Sequence, residues 1–286
     1  MNKMVSIIIP TYNHDYKLKK AIESVLNQSY QNFEVIVVDN HSTDDTDIVL
    51  ASFTDSRIKV YKINNHGVIA SSRNAGLRAA QGDYIAFLDS DDWWKKEKLT
   101  LSLEKLQEGY DFVYHDMWLC SAENQKRFFK KVGARKLQQP AYEDLLVRGN
   151  AIPNSSVVFK RMILDQIGLI SEDIELKGVE DFDYWLKIAQ VTESFYCLPQ
   201  VLGYYWYGGG NFSSFPKQFY IGLLKLKELH YDTYVKSNGL DLPFYLSYRI
   251  AKYAKLTGNM KEYMHHKRNL KSQKLTLVNW LKVKLL

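Results

Sequence analysis

Asp89, Ser90 and Asp91 follow directly on the apolar run Tyr84-Ile85-Ala86-Phe87-Leu88. Side chains at i and i+2 lie on the same side of an extended chain, so the two carboxylates can enter one pocket. Paired carboxylate oxygens suit Mg2+ or Mn2+ shared with a diphosphate. Asp39 closes another apolar run, and Glu180-Asp181 opens a stretch whose Phe182, Trp185 and Leu186 have helical spacing. Taken alone, an Asp-x-Asp doublet also occurs in turns that cap helices, and Glu180 and Asp181 also suit the first turn of a helix, where the dipole favours acids. Position in the fold decides between these readings.

The elements that must position these acids are legible as alternating patterns. Residues 5–9 form a short apolar run ended by Pro10, and Leu18, Ala21, Ile22, Val25 and Leu26 then recur at helical spacing. Strands are predicted at 33–38, 57–63 and 84–88, with helices at 44–52 and 67–80. Continuous apolar strands separated by helices predict an α/β fold with a mostly parallel sheet covered on both faces. Ligands of such sheets sit beyond the carboxyl ends of the strands, where Asp39, Asp89 and Asp91 fall. Further on, Leu99, Leu103 and Leu106 mark a helix, 111–117 a strand and 121–139 a long polar, basic loop. An amphipathic helix is expected over 180–190 and an aromatic strand over 203–207, before Gly208-Gly209-Gly210-Asn211. From Pro216 onward the pattern is helical. The expected organisation is an α/β half over 1–117, a mixed half over 118–215 and a basic helical region over 216–286.

Composition narrows the class. The chain has 286 residues, 46% hydrophobic and 24% charged, ordinary globular usage that argues against disorder, collagen and coiled coils. Its apolar runs are strand-sized, so no segment is expected to span a bilayer. Met1-Asn2-Lys3-Met4 leads straight into a strand, without a signal core, and residence in the cytoplasm is expected. Only Cys120 and Cys197 are present, which excludes a disulfide framework and leaves both as packing residues. Residues 217–286 hold 14 Lys and Arg against 4 Asp and Glu, whereas 1–216 are net acidic. Such asymmetry argues against a nucleic-acid-binding surface and for a tail that meets something anionic, with membrane lipid as the leading candidate.

Four ordered blocks carry a resemblance. Val5-Ser6-Ile7-Ile8-Ile9-Pro10-Thr11-Tyr12-Asn13, Val37-Val38-Asp39-Asn40-His41-Ser42-Thr43-Asp44-Asp45-Thr46, and Ser72-Arg73-Asn74-Ala75-Gly76 with the Gly82 to Asp92 block resemble family 2 glycosyltransferases in order and spacing. Val179-Glu180-Asp181-Phe182-Asp183-Tyr184-Trp185-Leu186 is similar to the Glu-Asp motif of that family. The resemblance implies a GT-A fold, a nucleotide-sugar donor, a divalent metal (Mn2+ or Mg2+) and inversion at the anomeric carbon. It implies that Pro10, Thr11, Tyr12 and Asn13 line the nucleotide site and that Asp39 accepts a hydrogen bond from the base, as expected for uracil. Arg73 would lie beside the nucleotide, Asp89 and Ser90 would hold the donor, and Asp91, with Asp89, would ligate the metal. Asp181 would be the general base that deprotonates the acceptor hydroxyl, with Glu180 orienting it or binding acceptor. Where family members often have a second Asp followed by Gly, this chain has Asn40-His41, which alters the ribose and base contacts.

On the acceptor side, Tyr204, Tyr205, Trp206 and Tyr207 ahead of the glycine run resemble more loosely a segment that closes over acceptors, and aromatic faces suit sugars. Lys267, Arg268, Lys271, Lys274, Lys282 and Lys284 lie among Leu275, Leu277, Val278, Trp280, Leu281, Val283, Leu285 and Leu286, a composition suited to interfacial helices on anionic lipid. The expected activity is transfer of a single sugar, with UDP favoured as the nucleotide, to a glycan or polyprenyl-diphosphate-linked acceptor in O-antigen or capsule synthesis. Processive synthesis is disfavoured because the Gln-x-x-Arg-Trp motif of processive relatives is absent. The rivals are a catalytically silent nucleotide-sugar-binding scaffold, against which Asp89, Asp91 and Asp181 argue, and a sugar-phosphate nucleotidyltransferase, whose glycine-rich basic loop is missing.

Overall fold

The structure, a computed structural model, describes residues 3–122, 129–208, 215–239, 241–273 and 276–286. Part of the predicted loop 121–139, the glycines after Gly208, Asn211, Lys274 and Leu275 lie outside the described residues.

The chain packs as two compact units built from interleaved segments: 1–137, 151–172 and 187–209 in the first, and 138–150, 173–186 and 210–286 in the second. In the first, β1 (Val5–Thr11), α1 (Asp15–Leu26), β2 (Phe33–Asp39), α2 (Thr46–Ala51), β3 (Ile58–Lys62), α3 (Ile69–Ala79) and β4 (Tyr84–Phe87) alternate as the apolar runs predict. The short β5 (Trp93–Trp94), α4 (Lys98–Gln107) and β6 (Phe112–Cys120) follow, and later β7 (Val158–Lys160), α6 (Arg161–Ile167) and β8 (Phe195–Trp206). All eight strands form one sheet in the order β3-β2-β1-β4-β7-β6-β8-β5. The first four run parallel, β7 is antiparallel to both β4 and β6, β6 and β8 are parallel, and β5 is antiparallel to β8.

β1, β2 and β4 are buried along their whole lengths, as strands covered on both faces must be. The helical stripe Leu18, Ala21, Ile22 and Val25 of α1 joins that core. β8 is longer than the predicted aromatic strand: its first half, with exposed Gln200 and Pro199, lacks the apolar alternation that marks a strand, and pairing with β6 supplies the order. Residues 129–137 are also less loop-like than expected. Trp118 bridges Lys131, and the Tyr114 hydroxyl donates to the Arg135 carbonyl at 2.6 Å.

The second unit is helical: α5 (Ala141–Arg148), most of α7 (Glu180–Ala189), α8 (Pro216–Leu226), a π-helical turn Lys227–Tyr231, α9 (Asp232–Asn238), α10 (Phe244–Leu256), α11 (Met260–Ser272) and α12 (Leu277–Leu285). α10 is its centre, with Leu246, Ile250, Ala251 and Ala254 buried as it packs on α5, α8 and α11.

Candidate active site

Thr11 pairs with Asp39, and Ile8 with Phe87, in parallel register, so the carboxyl ends of β1, β2 and β4 share one rim of the sheet. Asn13 stands at φ 51°, a left-handed conformation that Asn tolerates. Its side-chain oxygen accepts from Thr43 N at 2.8 Å, and its own amide donates to Ser42 Oγ at 2.9 Å. Asn40 N donates to Thr11 O at 3.0 Å. The loops after β1 and β2 are thereby laced into one wall, on which Tyr12 is 53% exposed. Pro10 and Thr11 sit just behind it at the end of β1.

Asp39, expected to accept a hydrogen bond from a base, belongs to the same wall. Its carboxylate is fully buried, takes the Ser42 hydroxyl at 2.5 Å and the Ser42 amide at 3.1 Å, and has Lys62 Nζ at 3.8 Å. A buried carboxylate needs such donors, and the turn after β2 provides them.

At the end of β4 the acids are held individually. Gly76 lets α3 lie so close to β1 that a Cβ there would meet Ile8 Cγ2 at 2.5 Å. Arg73 on that helix, only 4% exposed, donates from Nη2 to Asp89 Oδ1 at 2.9 Å. Asn154 Nδ2 reaches the same oxygen at 3.0 Å, and Asp89 N donates to Ser155 Oγ at 3.0 Å. Arg73, expected beside a phosphate, is thus also the anchor of an acid. Ser90 is buried, with its hydroxyl 2.8 Å from His14 Nδ1, and burial lowers the His14 pKa. Asp91 is pushed up to about 6, first by burial and then by the charge of Asp89, with Lys17 opposing. Asp92, next in the chain, is fully buried. Burial holds it well above the usual carboxylate range, and its Oδ1 accepts from Trp206 N at 2.9 Å, tying this turn to β8.

His14, Asn154 and Ser155 escaped the sequence reading. The only available signals were a polar residue just ahead of α1 and the turn Pro153-Asn154-Ser155-Ser156, a 3-10 turn at Asn154–Ser156.

The residues fit a divalent cation. Asp89 and Asp91 repel one another in a half-buried setting, a cost that a cation removes. Among the described residues no group of three or more His, Cys, Asp or Glu is placed to hold a metal. The chain would therefore supply two carboxylates and leave the remaining positions to donor oxygens and water, as Mg2+ and Mn2+ accept.

Beside this turn, Tyr204 stacks on Trp93 with ring centroids 5.0 Å apart, and Lys20 Nζ lies over the Trp93 ring, 3.2 Å from its centroid. Lys17 stands 4.6 Å from the Trp206 ring centre, and Tyr205 is half-buried between these two strand residues. Trp94 is a core residue whose Nε1 donates to Ser155 O at 2.6 Å.

Glu180 and Asp181 begin α7 in the second unit. Glu180 is buried and its Oε2 accepts from Gly178 N at 2.6 Å, while Asp181 is half-buried and its Oδ1 accepts from Phe182 N at 2.6 Å. Both acids therefore satisfy amides at a helix N-terminus, where the dipole favours them. Next to them Asp183 is fully buried and accepts from His230 Nε2 at 2.8 Å, with the Tyr142 hydroxyl 3.4 Å from His230 Nδ1.

Comparison with known proteins places this geometry. The UDP-Glc:alpha-D-GlcNAc-diphosphoundecaprenol beta-1,3-glucosyltransferase WfgD of Escherichia coli is 33% identical over 188 residues, 65% of this chain and 70% of that one. The putative teichuronic acid biosynthesis glycosyltransferase TuaG of Bacillus subtilis is 44% identical over 123 residues, 40% of this chain. The chain spans 49% of that relative and 26% of a longer uncharacterised one. Among solved structures, S. aureus TarS 1-349 in complex with UDP-GlcNAc matches 98% of this chain and 78% of its own at TM-score 0.65 and 20% identity. Mannosyltransferase PcManGT from Pyrobaculum calidifontis, in complex with GDP-Man and Mn2+, matches the same shares at TM-score 0.62 and 18% identity. These likenesses establish the fold as GT-A. The model of glycosyl transferase family 2 matches residues 6–166, from the first strand to the helix after β7, and the chain belongs to that family.

Proposed function

We propose that this glycosyltransferase is metal-dependent and inverting, and that it moves one sugar from a nucleotide sugar, with UDP favoured, to a lipid-linked or glycan acceptor of a cell-surface polysaccharide. The observation that carries this reading is the pair Asp89 and Asp91 at the end of β4, one anchored by Arg73 and Asn154, the other raised by burial and then by its neighbour's charge. The wall of Pro10, Thr11, Tyr12 and Asn13, shaped by Asp39 through Ser42, receives the nucleotide. Ser90, fixed by His14, borders the donor. Asp89 and Asp91 would hold a divalent cation, which would supply Lewis-acid assistance to departure of the nucleoside diphosphate. Asp181 takes the proton of the acceptor hydroxyl as its oxygen bonds to the anomeric carbon on the face opposite the leaving group. Glu180 and Tyr205 with Trp206 contribute to acceptor binding.

The acceptor class is supported by the relative named for a diphosphoundecaprenol-linked acceptor, and surface-polysaccharide synthesis by the one named for teichuronic acid. Among the described residues no helix is long and apolar enough to cross a membrane. α12 instead exposes Leu277, Val278, Leu281 and Leu285 along one face, flanked by Lys282 and Lys284, which suits peripheral attachment to an anionic membrane surface.

Incubation of the purified chain with a panel of nucleotide sugars, with Mn2+ and with EDTA, tests the donor chemistry. Release of sugar from one donor only when metal is present is expected. Equal turnover in EDTA would remove the metal from the mechanism, and turnover of none would leave a binding protein.

A further inference from the structure

A cavity of about 570 Å³ lies between α5, α10 and α12 of the second unit, within the range of small-ligand sites. Its wall carries Arg148, Arg249, Lys252 and Lys282 and no carboxylate. Arg148 is paired with Asp144 at 3.1 Å. Arg249 is held instead by aromatic groups: its Nη1 donates to the Tyr245 hydroxyl at 2.8 Å, and its guanidinium carbon lies 5.0 Å from the Phe219 ring centre. Lys252 and Lys282 are exposed at the rim.

The wall is shaped before any ligand arrives. Gly149 stands at φ 82°, and a Cβ there would come within 2.2 Å of the Tyr245 ring, so only glycine lets that ring lie against the turn after α5. Tyr245 in turn sets Arg249. Arg249, Lys252 and Lys282 around one space repel one another, and a multiply charged anion relieves that repulsion. Phosphate fits best, because guanidinium forks bind its oxygens in pairs and ammonium groups add point charge. The rings of Tyr248 and Phe244 offer an apolar side to whatever the phosphate is esterified to. Lys282 lies on α12, the helix with the exposed apolar face, so the cavity and that apolar face share one element.

We propose that this cavity binds the phosphate groups of a lipid phosphate ester. The chemistry stands on the cavity alone. That the ester is the diphosphate of the acceptor, rather than a phospholipid head group, rests on the function proposed above.

The test uses the full chain in EDTA, which keeps metal-dependent diphosphate binding at Asp89 and Asp91 out of the measurement. Geranyl diphosphate is titrated calorimetrically, and vesicles of phosphatidylglycerol in phosphatidylcholine are used for flotation. Three variants are compared with wild type: Lys252→Gln with Lys282→Gln, the Arg versions at the same two positions, and Lys267→Gln with Lys271→Gln as a pair of equal charge loss on α11. Binding of geranyl diphosphate that weakens about tenfold or more in the first variant, survives in the second and is unmoved in the third is the expected result. Vesicle binding that follows this order without binding of geranyl diphosphate also supports the cavity and assigns it a head group. Failure of wild type to bind either probe, or equal losses in the first and third variants, overturns the proposal. Donor turnover by the wild-type chain with Mn2+ is scored separately, so loss of the glycosyltransferase reading and loss of the cavity are read from different experiments.

Discussion

Arg73 and Asp89 form an ion pair across two elements, 2.9 Å from Nη2 to Oδ1, and Asn154 donates to the same oxygen from a third. A carboxylate held twice at one oxygen has a fixed orientation for whatever meets the other. Asn154→Ala removes one bond to a charged acceptor, a change of about 1.5–3 kcal/mol, and leaves the arginine in place. Metal-dependent UDP affinity should fall by about tenfold or more, and the thermal midpoint by several degrees. Isothermal titration checks this, and an unaltered affinity would show that Asp89 needs no such holding.

Burial, and after it the like charge of Asp89, raises the folded pKa of Asp91 to about 6. A carboxylic acid whose folded pKa is raised contributes stability that is present below its unfolded value, near 4, and is lost as pH climbs through 6. At pH 7.5 in EDTA, Asp91→Asn should therefore be more stable than wild type by about 1 kcal/mol or more, a gain that vanishes near pH 4. The same substitution should abolish metal-dependent sugar release. Urea melts at the two pH values, with the release assay, test both halves.

The parallel half of the sheet was legible because its strands are continuous apolar runs and α1 keeps strict helical spacing. The acids at strand ends were legible because a parallel sheet puts its loops on one rim. What stayed hidden is set by distant contacts. Nothing local marks Asn154 as a partner of Asp89, and nothing in Asp39 announces that Ser42 will cover it. β7 runs antiparallel between β4 and β6, a register that three residues cannot encode by themselves. Nothing local marks the partner of Asp92, the Trp206 amide, which lies 114 residues away.

Asp181 distinguishes chemistry from architecture. As a first-turn acid it accepts from Phe182 N at 2.6 Å, which Asn can reproduce. Asp181→Asn should keep the fold and donor binding while transfer falls by a factor of at least about 10², the lower end for loss of a general base. Steady-state transfer together with UDP titration reads this. Turnover near wild type would leave Asp181 a helix-capping residue.

His230 and Asp183 are both buried and joined at 2.8 Å, with the imidazole on the π-helical turn and the acid on α7. Removing one member of a buried pair leaves the other polar group without its partner, at about 3–5 kcal/mol. His230→Phe should lower the urea midpoint strongly, and Asp183→Asn in the same chain should recover part of the loss. Additive losses would mean that the two residues contribute independently.

Lys98 is fully buried under Trp94, its ammonium nitrogen 3.7 Å from the ring centre and 3.3 Å from the Val157 carbonyl. Burial lowers its pKa well below the ordinary lysine value. The unfolded chain therefore binds more protons at this residue than the native one, so this site makes stability rise with pH up to about 10.4. Met has similar length and no charge to desolvate, and the ring contact suits its sulfur. Lys98→Met should raise stability at pH 7 by about 1–3 kcal/mol and flatten the rise between pH 7 and 10. Urea melts across that interval decide it: a slope that persists in Lys98→Met would place the responsible proton elsewhere, and a large loss at pH 7 would mean that the amine's contacts outweigh its desolvation.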